Sequence, residues 1–381
     1  MSALLSIVCV SSGNGPRPCG EDEVIDNIAA TLSILAKDCQ VAPGQATPPG
    51  TARLADVARA AGVSAMTVSR VLRMPGRVAP ETRARVEEAV RALGYVPNLV
   101  AGALKSQRSR IVVAIVPTLT SAIFAETVEG MTEVLREQGY QLLLANSGYA
   151  PETEESLVTA FLGRRPDGMI LTGTQHTPGA RAQLRGAGIP VVETWELAKD
   201  PIDMNVGFSN RAAGRRLTEA LLARGHRRIV FAGVDPAFEL RSRRRAQGYR
   251  EAMRAAGLAP AFHRLDDADR GLTMRSGARA AAALLAARPR IDAVMFSNDF
   301  PAFGALSECA RRGIAVPGVF AIAGFGDFEV AREAYPAITT VRVPGREMGR
   351  RAAAMILARL AGGDPEPRID LGFEIVLRES A

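Results

Sequence analysis

Histidine, cysteine and tryptophan are scarce in this chain of 381 residues, and each scarcity removes a class of function. The four cysteines, Cys9, Cys19, Cys39 and Cys309, show no CxxC spacing and three of them fall in the first 50 residues, so neither a zinc site nor a disulfide framework is indicated. His176, His226 and His263 are the only histidines. No catalytic constellation forms around them, and no glycine-rich loop precedes Lys-Ser/Thr as a phosphate-binding loop requires. The two glycines of Gly324-Phe-Gly-Asp-Phe-Glu329 lack the third that a dinucleotide fingerprint needs. The sequence thus indicates no cofactor, no metal and no enzyme. No apolar run approaches the roughly 20 residues that span a bilayer. The apolar first ten residues carry no basic n-region and no clear cleavage site, so a cytoplasmic protein with no membrane partner is expected.

What the chain does have is apolar content and an unevenly placed positive charge. With 47% hydrophobic residues it can bury more than one core. The net charge is +7: residues 51–110 carry eleven Lys and Arg against four Asp and Glu, residues 1–50 carry two against five, and residues 111–381 carry 34 against 31. The basic excess therefore lies on one short segment, where phosphates would be met. Residues 1–50 read as an extension outside the folded unit, because Val41 to Gly50 is rich in Pro and Gly and only residues 24–37 offer a helix. A flexible tail, an upstream start codon that is not the one used, and an acidic arm are all open readings of it.

The basic segment reads helix, turn, helix. Leu54, Val57, Ala58 and Ala61 recur at helical spacing, Gly62 can supply the positive φ that ends the helix, and Ser64 can cap a second one. In that second helix Val68, Val71 and Leu72 form an apolar stripe. Ala65, Met66, Ser69, Arg70 and Arg73 lie opposite, a face with two cations and no acid that suits a DNA major groove. A third segment offers Val86, Ala89, Val90 and Leu93 as its buried side and stops at Gly94.

Gly-Val-Ser-x-x-Thr-Val-Ser-Arg-Val at 62–71, Gly-Tyr-Val-Pro-Asn at 94–98 and Ala-Leu-Lys at 103–105 resemble the headpiece of the LacI/GalR family of transcription repressors. The resemblance implies that residues 51–98 are a helix-turn-helix DNA-binding domain. It also implies that residues 99–109 are a hinge that becomes helical on operator DNA, with Leu104 as an apolar wedge in the minor groove. Gly102 departs from the polar or alanine residue usual in such a hinge and lowers helix propensity by about 1 kcal/mol relative to alanine. The candidate DNA-binding residues are then Ser64, Ala65, Met66, Thr67, Ser69, Arg70, Arg73, Asn98, Leu104 and Lys105. Ala65, Met66 and Arg70 would face base edges, and Arg73 and Lys105, together with Arg53 and Arg59, the phosphate backbone.

From Ile111 the pattern alternates strand, loop and helix. Ile111 to Pro117 is an apolar run of the kind buried on both faces of a parallel sheet, and two α/β series follow in tandem. The expected fold is an all-α helix-turn-helix headpiece plus, over residues 110–381, a two-lobed periplasmic-binding-protein-like domain of doubly wound parallel sheets for effector binding and dimerisation. The resemblance covers residues 51–381, gives the first lobe residues 110–207 and 343–362 and the second residues 208–342 and the last strand, and puts a small ligand between them.

Carried over residue by residue, the resemblance implies Arg245 as the arginine that grips the effector, Asn298 as a polar contact and Phe124 as a ring packed on the ligand. Asp327 lies in the loop that supplies a hydroxyl-binding aspartate, but the count of 28 residues on from Asn298 falls on Gly326, one step earlier. Trp195 stands where an aspartate is common, and its ring reads equally as core or as a ligand platform. Asp299 reads as a helix cap. With those carboxylates displaced and Arg241, Arg243, Arg244 and Arg245 clustered, an anionic effector is expected over a neutral sugar, unless the arginine run is a solvated face. Leu171 to Pro178 and Phe124 to Met131 resemble the gluconate-utilisation repressors of the family. The implied protein is a homodimer, with pairing to a tetramer open, on a palindromic double-stranded operator. It would answer a sugar acid such as gluconate as inducer or corepressor. The rivals are a sugar-binding transport receptor, which needs an export signal and no basic headpiece, and a sugar-acting enzyme, which needs a base or nucleophile beside the ligand.

Overall fold

The computed structural model describes residues 52–96, 108–119, 122–234, 239–265, 272–287 and 290–381, and the chain divides into two compact units, residues 1–98 and 99–381. The first unit holds α1 (Leu54–Ala61), α2 (Ala65–Arg73) and α3 (Pro80–Ala92). Gly62 ends α1 at φ 63°, a left-handed conformation that glycine adopts without strain. Two residues later Ser64 accepts a hydrogen bond from the Thr67 amide at 3.1 Å and so starts α2. Val57, Ala61, Val68, Val71, Val86 and Ala89 close a small core, with Leu72 and Val90 partly buried against it. Leu93 departs from expectation. It is exposed, because α3 ends before it and the chain reverses at Gly94 (φ 57°), and Tyr95 packs on the core instead.

The second unit is built from two parallel sheets. The first takes β1 (Ile111–Val116), β2 (Gln141–Asn146), β3 (Gly168–Thr172), β4 (Val191–Thr194) and β5 (Met204–Gly207), with α4 (Ala125–Glu137), α5 (Pro151–Leu162) and α6 (Pro178–Gly186) as crossovers. The chain then passes through α7 (Asn210–Ala223) into the second sheet. This comprises β6 (Ile229–Gly233), β7 (Ala261–Arg264), β8 (Ala293–Phe296) and β9 (Ala321–Ala323), with α8 (Leu240–Ala255), α9 (Met274–Ala286) and α10 (Asp299–Arg311) between them. After α11 (Glu329–Arg332) and β10 (Thr340–Arg342) it returns through α12 (Gly345–Leu360) and β11 (Arg368–Asp370) and ends on β12 (Glu374–Val376).

The strand orders are β11-β5-β4-β3-β1-β2 and β7-β6-β8-β9, and every neighbouring pair in both sheets is parallel. β10 and β12 form a separate antiparallel ribbon, and the Ile322 amide donates to the Ser380 carbonyl, tying the C-terminal residues to the second sheet. β7 and β11 were not legible in the sequence because both are short edge strands with mostly exposed residues, where no apolar run is required. Among the described residues no helix is long and apolar enough to cross a membrane.

Candidate functional site

In parallel sheets the loops after the strands converge at one end, and ligands bind there. Phe124 follows β1, Tyr149 follows β2, Trp195 and Glu196 follow β4, Glu239 follows β6, Asn298 follows β8 and Asp327 follows β9. Three of these residues, Tyr149, Trp195 and Asp327, hold positive φ values of 59°, 71° and 56°. Such a backbone is costly without glycine and is commonly retained where a side chain must be aimed.

The buried centre is a chain of alternating charges. Asn210, the first residue of α7, donates to the Trp195 carbonyl at 2.8 Å and to the Glu196 carboxylate at 2.9 Å, and accepts from Arg245 Nη1 at 2.6 Å. Arg245 Nη2 lies 3.5 Å from Glu239, whose other oxygen accepts from Arg241 Nε at 2.6 Å. Glu239 also accepts from the Ser242 amide and so caps α8. Glycine makes this meeting possible: a Cβ on Gly214 would overlap the Arg245 backbone and one on Gly248 the Arg211 backbone, so α7 and α8 cross at contact distance. Burial pushes the Glu196 carboxyl upward, toward its neutral form. Burial acts on Glu239 in the same sense, but the charges of Arg241 and Arg245 outweigh it and hold that carboxyl below its ordinary range.

Aromatic rings wall the network. The Arg241 guanidinium sits 5.1 Å from the Phe124 ring centre and that of Arg245 4.2 Å from Phe325. Phe124 meets Trp195 edge to face at 5.1 Å, Trp195 meets Phe208 at 6.2 Å, and Phe208 stacks on Phe325 at 6.2 Å. Inside this wall several donors have no acceptor. Among the described residues Trp195 Nε1, Arg241 Nη1, Arg245 Nε, Ser242 Oγ, Ser297 Oγ and Asn298 Nδ2 are buried without a hydrogen-bond partner. A buried unpaired polar group is penalised by about 1–3 kcal/mol, so such a concentration at one place marks a surface shaped for a polar ligand.

Of the residues expected at the effector site, Phe124, Trp195 and Arg245 come together around Asn210. Asn298 follows β8 beside Ser297, which approaches Ser242 across Gly233. Asn298 Oδ1 caps α10 by accepting from the Phe300 amide at 2.9 Å, leaving its amide nitrogen unpartnered. Asp299, read from the sequence as that cap, instead accepts from Thr340 Oγ1 at 2.6 Å and from the Phe328 amide at 2.9 Å. The Asp327 carboxylate is taken up by Arg378 at 2.6 Å and Arg342 at 2.7 Å, so the structure does not bring it into the Arg245 network. The arginine run splits by helical periodicity: Arg241 and Arg245 are buried, Arg243 and Arg244 exposed. Sequence reasoning missed Glu196, in the loop after β4, Asn210, which opens α7, and Glu239, which precedes α8; all three look like ordinary polar residues and become partners only through the fold.

The other candidate surface is on the first unit. Ser64, Ala65, Met66, Arg70 and Arg73 are exposed, Met66 at 65%, while Thr67 and Ser69 are half-buried. Ser64 and Thr67 also bond to each other through their hydroxyls at 2.9 Å, which fixes the start of α2. Arg70 and Arg73 make no ion pair among the described residues, whereas Arg59 pairs with Asp56 at 3.2 Å. Asn98, Leu104 and Lys105 lie outside the described residues.

Comparison with known proteins identifies the family. Residues 53–98 match the family model of bacterial regulatory proteins, lacI family, and residues 218–381 that of the periplasmic binding protein-like domain. The chain is 39% identical over 333 residues to the HTH-type transcriptional regulator GntR of Pseudomonas aeruginosa, covering 87% of this chain and 96% of that protein. It is 37% identical over 323 residues to GntR of Escherichia coli, covering 84% and 96%. A crystal structure of a LacI-family transcriptional regulator from Silicibacter pomeroyi superposes with a TM-score of 0.80 at 38% identity, covering 86% of this chain and 99% of that one. The chain therefore belongs to the LacI family of bacterial regulatory proteins and is a DNA-binding transcription repressor, not an enzyme.

Proposed function

We propose that this repressor acts in the cytoplasm as a homodimer on a palindromic operator, and that a sugar acid such as gluconate, bound between the two sheets of the 99–381 unit, releases it. The observation that carries the reading is the set of buried donors that find no acceptor among the described residues, on Trp195, Arg241, Arg245 and Asn298, lodged among aromatic rings. A polyhydroxylated acid offers many acceptors and one negative charge, which is what this lining lacks. The GntR relatives, and the likeness of residues 124–131 and 171–178 to gluconate-utilisation repressors, support the same class. Phe124, Trp195, Arg245 and Asn298 are the proposed effector contacts, with Glu196, Asn210 and Glu239 holding them in place. Asp327 fits better as part of the ion cluster with Arg342 and Arg378.

On DNA, Ala65, Met66 and Arg70 would read base edges in the major groove. Ser64, Thr67, Ser69, Arg73, Asn98 and Lys105 would position α2 on the backbone, and Leu104 would enter the minor groove. Only an effector with unequal affinity for the DNA-bound and free arrangements can shift between them. The test is a gel shift on promoter fragments upstream of sugar-acid genes, with and without gluconate, beside a thermal-shift screen of sugar acids and neutral sugars. Gluconate should raise the melting temperature and weaken the shifted band. A response confined to neutral sugars, or a band strengthened by gluconate, overturns the reading.

A further inference from the structure

Beside the network a cavity of about 120 Å³ opens between the two sheets, lined by Ser147, Tyr149, the first turn of α5, Thr172 to Gln175, and Glu239 to Arg241. That is room enough for a small charged group, since about 10–15 Å³ on this measure already admits one water molecule. From the start of α5 the cavity takes Ala150, Pro151 and Glu154, whose backbone has no free N–H to offer: the Ala150 amide donates to the Ser147 carbonyl, the Glu154 amide to the Ala150 carbonyl, and proline has none. Arg241 supplies the cation of the lining. Its side chain is 7% exposed, its Nε is fixed on Glu239, its guanidinium is held near the Phe124 and Tyr149 rings at 5.1 and 6.0 Å, and its Nη1 has no partner among the described residues.

The carboxylates in the wall are paired. Glu239 is matched by Arg241 and Arg245, and Glu154 is bonded at 2.5 Å to His176, a buried imidazole kept in its charged form that also pairs with Glu193. Arg245 is differently placed. Both of its terminal nitrogens are engaged, by Asn210 and Glu239, and Phe325 covers its face.

We propose that this cavity receives the acid end of the effector, and that Arg241, more than Arg245, distinguishes a sugar acid from a neutral sugar. The proposal rests on the sugar-acid reading above and adds to it a residue and a place. The group received is a terminal oxyanion, either the carboxylate of an aldonate or the phosphate of its phosphorylated form, held by the guanidinium and flanked by the hydroxyls of Ser147 and Thr172. Arg245 and Asn298 are left for the hydroxyl chain.

Calorimetric titration of the full chain with gluconate, 6-phosphogluconate and sorbitol separates these roles, because sorbitol keeps the hydroxyl chain and lacks the acid. Wild type should prefer gluconate to sorbitol by roughly 30-fold or more, the scale of a buried charge-assisted contact. Arg241→Gln should bring that ratio to within about threefold of unity, and Arg241→Lys should leave it intermediate. Tighter binding of 6-phosphogluconate that Arg241→Gln abolishes would place the phosphate in the cavity, and weaker binding would place the carboxylate there. If Arg241→Gln fails to fold, as shown by lost melting and lost gel shift, Arg241→Lys decides alone: an unchanged ratio overturns the proposal. A folded Arg241→Gln that retains the acid preference overturns it too. Wild type that binds no sugar acid refutes the effector class itself, a separate failure.

Discussion

His176 gives the sharpest electrostatic forecast. It precedes α6 with its side chain fully buried, Nδ1 lying 2.5 Å from Glu154 and Nε2 3.2 Å from Glu193. Burial alone would lower its pKa, but the two hydrogen bonds and the paired charges more than reverse this and push it from 6.5 to about 9. A shift of that size corresponds to about 3 kcal/mol, at 1.36 kcal/mol per unit. Because the folded-state value lies above the unfolded one, the stabilisation is complete below about pH 6.5 and disappears as the pH rises through about 9. His176→Gln keeps one donor and removes the charge. Its penalty should therefore be about 3 kcal/mol at pH 6 and fall to about 1 kcal/mol or less at pH 10. A chain of two units need not unfold in one step. Trp195, the one tryptophan, belongs to the 99–381 unit, so its fluorescence during urea unfolding reads the unit that holds His176. Comparing variant with wild type at each pH cancels the other titrating groups. A penalty that stays constant from pH 6 to pH 10 refutes the reasoning.

Arg70→Ala should weaken operator binding by about tenfold or more in a gel shift, since one good base contact carries about 1–3 kcal/mol, and should leave gluconate affinity unchanged. Arg245→Ala should abolish the effector response while DNA binding persists, because it strips Asn210 of its 2.6 Å donor and Phe325 of its cation; a normal calorimetric titration would contradict it. Trp195 packs against Phe124 and Phe208 with its Nε1 unpartnered, so gluconate should shift its emission, and a titration with flat fluorescence despite measured binding would remove it from the site. Asp299 is held at about 6 by burial, against opposing bonds from Thr340 and the Phe328 amide. A raised carboxyl destabilises above its folded value and has no effect below its ordinary 3.8, so Asp299→Asn should stabilise the fold at pH 7.5 by up to about 3 kcal/mol and bring no gain near pH 3.5.

The headpiece was legible because local chemistry decides it. Gly62 has nothing within 4 Å of its would-be Cβ, so its role is purely the backbone turn, and Ser64 finds its acceptor role three residues away. The buried strands were legible for a related reason: β1 and β3 are apolar on both faces, which a short run of branched residues announces. Leu93 misled because a helical stripe does not say where the helix stops. The pairing of β10 with β12 joins residues 36 apart at its ends, Thr340 with Val376, which no local pattern encodes.

The effector cleft was half legible, and charge explains which half. Counting arginines on α8 suggested an anionic ligand, yet helical spacing sends Arg243 and Arg244 to solvent and only Arg241 and Arg245 inward. Those two meet Glu239 on the same helix cap and Glu196 from a loop 43 residues before Glu239, so the surplus read from the sequence is mostly cancelled. What survives is small and local: an Nη1 on Arg241 with no acceptor among the described residues. Selectivity for an acid then follows from where one guanidinium N–H points, and not from how many arginines the helix carries. Exchanging Arg243 or Arg244 for glutamine should accordingly leave the gluconate-to-sorbitol ratio of the full chain within about twofold of wild type, as expected for screened surface charges. A large loss of ratio from either exchange would mean that the field of the whole helix face, and not the buried pair, selects the ligand.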